Sequence, residues 1–562
     1  MYQTYMDHSH EYTQKDLETV LLAIISAKPT SRAEFDDARR IICGDIGINQ
    51  PANNVLIGAY QKMVENGRVE KDEILMRFMT KADVRNISGI AVITSLIKPY
   101  LCPGKCVYCP TEARMPKSYL ANEPAAARAL RLDFSPYEQV RQRIGMLERN
   151  GHACDKIEYI IKGGTWNAYP LKYQYWFIYE SFKAANDLAR EIPLGPVDEA
   201  VFSTNTIEQM QELLDTEQTF NETAKHRIIG LTLETRPDAI APKTILHMRR
   251  QGCTRIELGL QAPDDKILEL IKRGHTTEQF RKAMHLLRDV GFKVDLHFMP
   301  DLPGTTPEYD IDMYKSIFTD EGLKPDMVKI YPNTVIKSAE LYQWLLDGRY
   351  KPYGAEGLFR ALLEMKKATP YYCRISRLIR DIPETDIEAG NKITNLREAL
   401  EKELHARGEK CGCLRCREIG RQLKKIDPTA EPQLFVEEYT TRGGTEYFLS
   451  YEDPKRLAVY GFLRLRIPHT QNEPLLALFP ELQQAAFVRE LHVYGKLVKI
   501  GQRAELSTQH TGLGKALVAA AEEIAKKYDF SKVAIISGVG VRGYYEKLGY
   551  IKQGTYMVKN LV

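Results

Sequence analysis

Several features are scarce in this 562-residue chain, and each scarcity removes a class of function. No run of about 18 apolar residues occurs, so no membrane-spanning helix is expected. The opening Met1-Tyr-Gln-Thr-Tyr-Met-Asp-His lacks the basic start and apolar core of a secretion signal, so a cytoplasmic location is expected. Neither sign of charge dominates: 78 Lys and Arg against 74 Asp and Glu leave +4, so any nucleic-acid surface must be local. Cysteine is sparse, with ten residues, but six fall in two tight groups, Cys102/Cys106/Cys109 and Cys411/Cys413/Cys416. Grouping of that kind in an unsecreted chain favours metal ligation over disulfides. Cys43, Cys154, Cys253 and Cys373 read as apolar fillers.

The first group, Cys102-Pro-Gly-Lys-Cys106-Val-Tyr-Cys109, closes an apolar run, Gly89 to Ile97, with the spacing Cys-x3-Cys-x2-Cys. Three thiolates on one tight loop can hold an iron–sulfur cluster or a zinc ion. No fourth cysteine follows nearby. A cubane held by three cysteines keeps one iron open, and an open iron can chelate a small molecule.

From about 85 to 385, strand-like runs alternate with helical stretches. The strands expected are Ile157–Ile161, Ile228–Leu233, Arg255–Gly259, Val294–Phe298 and Met327–Ile330, with helices such as Asp265–Ile271 and Thr277–Arg288 between them. That order predicts a full or partial (βα) barrel, with its chemistry at the C-terminal ends of the strands. There stand Gly163 and Gly164, which admit close backbone approach to a ligand. Glu234 and Arg236 suit an amino-acid moiety, and Gln261 suits a ribose hydroxyl. With the three-cysteine loop, this order resembles the radical S-adenosylmethionine (SAM) superfamily. The branch that includes oxygen-independent coproporphyrinogen oxidases is the most similar. The resemblance implies a [4Fe-4S] cluster on Cys102, Cys106 and Cys109, with SAM on its open iron. His297 stands where that branch often has an acid.

Residues 1–80 read as a small helical domain, with Ser31-Arg-Ala-Glu34 as a capping box. Residues 386–431 read as a basic connector. Cys411, Cys413 and Cys416 there suggest structural zinc, with His405 or Cys373 as a fourth ligand, ahead of a helix from Glu418 to Lys425. Arginines from Arg374 to Arg421, with Tyr371 and Tyr372, suit either RNA contacts and base stacking or a solvated surface.

Residues 432–562 run as a strand meander, a further strand through Glu490, Leu491, His492 and Val493, and the turn Gln509-His-Thr-Gly512-Leu513-Gly514-Lys515 opening a helix. Backbone N–H groups at such a turn form an anion site. Then come strand Val533–Ser537 and Tyr544-Tyr545. This order resembles the GNAT acetyltransferases. The resemblance implies coenzyme A pyrophosphate at the glycine turn, pantetheine along Glu490–Val493, and a tyrosine, Tyr544 or Tyr545, by the thioester.

The fold expected is therefore α/β: a helical domain (1–80), a partial (βα) radical-SAM barrel (81–385), a zinc connector (386–431) and an α+β GNAT domain (432–562). A radical-SAM barrel joined to a GNAT domain resembles the family of the Elongator catalytic subunit. Segments such as Glu234-Thr-Arg-Pro-Asp238, Met299-Pro-Asp-Leu-Pro303 and Arg489-Glu-Leu-His-Val-Tyr-Gly495 carry that resemblance. It implies an acyltransferase that uses SAM and acetyl-CoA to place a carboxymethyl group on C5 of uridine 34 in the tRNA anticodon stem-loop. It implies Lys156 as an acetyl-CoA contact with Tyr545 as a second catalytic residue, an electron donor, and Elongator-like subunits or a homodimer as partners.

Overall fold

Alternating apolar runs and capped helices resolve into two compact units in a computed structural model that describes residues 12–80, 89–423, 425–427, 429–494 and 512–561. The first unit is built on four helices, α1 (Gln14–Ala27), α2 (Arg32–Asp45), α3 (Asn53–Glu65) and α4 (Glu73–Met79), and includes residues 141–156. Leu17, Leu21, Ile24, Phe35, Tyr60 and Phe78 form its core. Ser31 caps α2 as expected, accepting from the Glu34 N–H. The Glu34 carboxylate, however, turns to the backbone N–H and hydroxyl of Thr30, one residue earlier than a capping box requires.

The second unit holds two seven-stranded sheets. The first contains β1 (Ala91–Leu96), β2 (Lys156–Lys162), β3 (Arg227–Thr235), β4 (Arg255–Gln261), β5 (Lys293–Phe298), β6 (Met327–Ile330) and, beyond the short β7 (Thr334–Val335), β8 (Arg374–Arg377). Its order is β1-β2-β3-β4-β5-β6-β8, with β3 to β8 paired in parallel, and β7 pairs with β9 (Ala389–Gly390) as a separate ribbon. Helices such as Thr277–Arg288 return the chain between strands, which gives the partial barrel. The helix after Cys416 is shorter than expected, Ile419–Gln422.

The second sheet contains β10 (Gln433–Thr441), β11 (Gly444–Glu452), β12 (Val459–Pro468), β13 (Ala485–Val493), β14 (Lys532–Ile535), β15 (Ile551–Gln553) and β16 (Tyr556–Asn560), in the order β10-β11-β12-β13-β14-β16-β15. All pairs are antiparallel except β13–β14. The helix Leu513–Lys527 buries Leu517, Val518 and Ala521 against Leu463, Leu465 and Val488.

The two sheets meet through buried charge. Asp326, which leads into β6, accepts from Arg489 of β13, at 2.9 Å for Nη1. Arg489 also reaches Glu446, which Arg466 shares, and Arg466 reaches Asp289, each at 2.8–2.9 Å. Every group in this chain of pairs has a counter-charge, which is the condition for keeping ions out of water.

Candidate active site

Backbone hydrogen bonds fix the loop after β1. Val107 donates to the Ile271 carbonyl (3.1 Å), Leu341 to the Val107 carbonyl (2.8 Å) and Thr111 to the Ser338 carbonyl (3.2 Å). Arg273 places Nη1 3.5 Å from Cys106 Sγ and Nη2 2.7 Å from the Gly259 carbonyl of β4. Burial would raise the Cys106 thiol, but Arg273 outweighs it and the net shift is downward. Cys109 is pushed up to about 11 by burial and by Cys106. Three thiolates here therefore need a cation. Their spacing says which kind. Zinc–sulfur bonds of about 2.3 Å bring thiolates within about 4 Å of one another. Among the described residues, Cys411, Cys413 and Cys416 converge within 4.8 Å, whereas Cys102, Cys106 and Cys109 do not close to that spacing. Cys102, Cys106 and Cys109 thus fit the wider span of a cluster, and Cys411, Cys413 and Cys416 fit a single ion.

The ends of the neighbouring strands complete the site. Gly163 adopts φ +138°, and a Cβ there would lie 2.2 Å from Ile97 Cγ1, so no side chain fits between β2 and the cluster loop. Gly164 follows at φ +95°. Glu234 accepts from the Tyr119 hydroxyl at 2.8 Å and lies 3.8 Å from Lys162 Nζ. Burial would raise its carboxyl, but Lys162 and the groups beside it hold it at about 2. Gln261 Oε1 and Arg236 Nη1 are buried without a hydrogen-bond partner among the described residues. Orphaned polar atoms are costly unless a ligand meets them, so they fit a bound molecule with both donors and acceptors. Arg236 is otherwise spent on a bidentate pair with Asp238 (2.9 and 3.1 Å). An open cleft of about 450 Å³ beside Cys102 is lined by Leu101, Thr165, Asn167, Arg236 and Asp238.

The concave face of the sheet is charged where a closed barrel has layers of branched apolar side chains. Glu257 of β4 accepts from Lys162 of β2, Lys329 of β6 and, at 3.2 Å, His297 Nε2 of β5. Burial lowers the Lys162 ammonium well below its ordinary value, and Lys329 adds to the shift. Burial and Lys329 also push His297 down to about 3, so at neutral pH it is an uncharged donor. Lys156, the first residue of β2, is exposed at the opposite end of that strand from Gly163.

In the second sheet, β13 pairs with β14 only as far as Val488 and Ile535 and then runs on to Val493. The backbone of Glu490–Val493 thus extends past its parallel neighbour. The Glu490 carboxylate accepts from Arg464 Nε at 2.8 Å and lies 3.5 Å from Lys293; burial would raise it, but these cations hold it at about 2. Leu491 packs on the core, and the His492 ring stacks on Phe462. Gly512 caps Leu513–Lys527, so Leu513, Gly514 and Lys515 form the first turn, whose N–H groups have no partner within the helix. Tyr544 is 41 % exposed and lies against Gly514, whereas Tyr545 is buried beside Tyr550. Gln509 lies outside the described residues.

The connector departs from expectation in two ways. Neither Cys373 nor His405 joins the Cys411/Cys413/Cys416 group among the described residues; buried Lys366 places Nζ 3.9 Å from Cys416 Sγ. The arginines, which suit either RNA contacts or a solvated surface, are largely neutralised: Arg374 and Arg421 pair with Glu418, Arg417 with Glu452, and Arg380 with Glu123. Tyr372 stacks on Tyr439 at 4.0 Å, and Tyr371 is covered by Arg417 and Arg456. Those rings are taken by the fold because each cation and aromatic found a closer partner within the chain.

A three-cysteine loop leading from the first strand of a partial barrel, with a glycine pair after the second, defines a radical SAM domain. The Radical SAM superfamily profile matches residues 96–317, and the Radical_SAM C-terminal domain profile matches residues 325–406. The tRNA uridine(34) acetyltransferase of Methanocaldococcus infernus is 41 % identical over 527 residues, 92 % of each chain. Elongator complex protein 3 of Schizosaccharomyces pombe is 38 % identical over 501 residues, 87 % of this chain and 88 % of that one. A solved structure of the archaeal Methanocaldococcus infernus Elp3 with an N-terminus deletion (1-46) superposes with a TM-score of 0.70 at 39 % identity, covering 84 % of this chain and 100 % of that one. The chain belongs to the family of Elongator complex protein 3 and the tRNA uridine(34) acetyltransferases.

Arg273 and the Lys162–Glu257–Lys329 cluster escaped the sequence reading. The signal for Arg273 was a basic run, Lys272-Arg273-Gly-His275, directly after a short helix. The cluster joins three distant strands and left no local signal.

Proposed function

We propose that this chain modifies uridine 34 of tRNA at C5: one C–H bond of the acetyl-CoA methyl breaks, the methyl carbon bonds to C5, the C5 hydrogen leaves as a proton with one electron that offsets the electron an external donor supplies, and thioester hydrolysis leaves a carboxymethyl group. The observation that carries this reading is the pairing, in one unit, of the three-cysteine loop with a sheet whose β13 runs past its parallel partner beside a glycine-opened helix. The names of the relatives supply the substrate.

Cys102, Cys106 and Cys109 would hold the [4Fe-4S] cluster, and Gly163, Gly164, Glu234 and Gln261 would hold SAM. Together these groups supply a radical able to remove hydrogen from an unactivated C–H bond. That chemistry is needed because the acetyl methyl is too weakly acidic for the bases here. Glu234, kept ionised by Lys162, accepts from an ammonium. Gln261 Oε1, left without a donor, accepts a hydroxyl proton. Leu513, Gly514 and Lys515 present free N–H groups to a pyrophosphate, and Glu490–Val493 offer backbone to pantetheine. Tyr544 stands at that turn, and Lys156 is assigned to acetyl-CoA by the family pattern. Zinc on Cys411, Cys413 and Cys416 is structural. A protein-lysine acetyltransferase would need a general base, and Glu490 is a poor one with Arg464 and Lys293 on its carboxylate.

Mass spectrometry of tRNA nucleosides after anaerobic reaction with SAM, acetyl-CoA and a reductant tests the proposal. A C5-carboxymethyl uridine at position 34 is expected. With Cys106→Ser, product should vanish while acetyl-CoA binding stays; retained product would refute the radical route.

A further inference from the structure

Glu257 has a side chain only 1 % exposed, and its two oxygens are treated unequally. Oε2 collects three donors, from Lys162, Lys329 and His297. Among the described residues, Oε1 is buried with no hydrogen-bond partner. Because the donors come from β2, β6 and β5 across the concave face, the carboxylate lies inside the partial barrel. A buried anionic oxygen without a donor is costly to keep, so its partner is expected to come from outside the chain.

A divalent cation is a poor candidate. Glu234, Glu257 and His297 do offer ligand atoms within 4.8 Å of one another. Two ammonium groups already stand on Glu257, however, and Lys162 also neighbours Glu234. A metal would have to displace both. The array instead calls for a neutral molecule with one N–H flanked by two acceptors. The N–H meets Glu257 Oε1, and the flanking oxygens meet the spare protons of Lys162 and Lys329.

The imide edge of uracil, with O2, N3–H and O4, has that pattern. We infer that Glu257, Lys162 and Lys329 form the subsite that reads the imide edge of the target uracil, an inference that rests on the uridine-34 reading above. The position suits it. Glu257 lies two residues before Gly259, whose carbonyl takes Arg273 from beside Cys106. Lys162 directly precedes Gly163, and the side chains of Lys162 and Glu234 keep 12 % and 19 % exposure. A base turned out of the anticodon loop and seated by its imide edge would present C5 and C6 back toward the cluster loop. Cytosine would set its N3 acceptor against the carboxylate, so the subsite also gives a reason to reject C34.

The test uses the full-length enzyme with cluster and SAM, acetyl-CoA, and anticodon stem-loops carrying uridine, N3-methyluridine or cytidine at position 34. With the natural chain, kcat/KM should fall by more than about a hundredfold for both N3-methyluridine and cytidine. Glu257→Gln can turn its amide N–H to cytosine N3, so its uridine-over-cytidine ratio should narrow at least about tenfold. The analogue series alone decides the matter if Glu257→Gln does not fold. Turnover of N3-methyluridine within about threefold of uridine, or equal losses on uridine and cytidine in Glu257→Gln, overturns the subsite and leaves the uridine-34 reading standing. No turnover of uridine itself overturns that reading, and the subsite with it.

Discussion

Arg489 and Asp326 face each other across the boundary between the two seven-stranded sheets, their side chains 0 % and 1 % exposed. The pair is worth little as attraction alone, because both ions gave up water to make it. Its weight lies in what its loss would leave. Asp326→Ala leaves Arg489 with Glu446 as its one remaining carboxylate and takes a second carboxylate, 3.7 Å away, from Arg464, which keeps Glu490. We predict a loss of about 3–5 kcal/mol in urea unfolding. A loss below about 1 kcal/mol would show that water or Glu446 takes over.

Acid should loosen the same unit. Glu490 and Glu234 are each held at about 2 by neighbouring cations, and Asp326 is held below its ordinary range by Arg489 and Arg464 against the opposing effect of burial. A carboxyl whose folded value is depressed adds stability that is complete above its unfolded value, about 4, and is lost as pH falls toward the folded value. Unfolding midpoints should therefore hold from pH 7 to about 5 and drop steeply toward pH 3. A flat profile across that range would contradict the assigned ion pairs.

Gly163→Ala tests the close approach of β2 to the cluster loop. The added methyl would sit 2.2 Å from Ile97 Cγ1, on backbone at φ +138° that alanine resists. SAM affinity, measured by calorimetry on the reconstituted protein, should weaken at least about tenfold, since a shift of that loop moves the groups proposed to bind SAM. Unchanged affinity would mean that the loop relaxes without moving the site.

The two cysteine groups should separate in metal analysis. Cys413→Ser should lose about one zinc per chain and keep its iron, because three thiols within 4.8 Å are the proposed zinc ligands. Cys106→Ser should lose iron and keep zinc. Co-loss of both metals in either variant would argue for a shared site or for collapse of the unit.

Helix Thr277–Arg288 and strand Met327–Ile330 were legible from sequence to the residue, because capping and apolar runs are local signals. So were the three-cysteine loop and the glycine pair, whose meaning depends on short spacing. The lumen cluster was not. Glu257 and Lys329 each read as a single charge in an apolar strand and Lys162 only as the lead-in to the glycine pair, and only the sheet order brings the two lysines onto one carboxylate. The connector shows the converse. Arg374, Arg417 and Tyr372 read as an exposed basic and aromatic patch, yet Glu418, Glu452 and Tyr439 from other segments absorb them. Charge counts along a chain cannot show which charges will be paired across it.

The acetyl methyl is the proposed source of the hydrogen. Acetyl-CoA deuterated on that methyl, incubated anaerobically with SAM, reductant and the tRNA, tests this directly by mass spectrometry of the 5′-deoxyadenosine formed. Deuterium in 5′-deoxyadenosine, together with a carboxymethyl product short of one deuterium, is the predicted result. Unlabelled 5′-deoxyadenosine alongside normal product formation would contradict it.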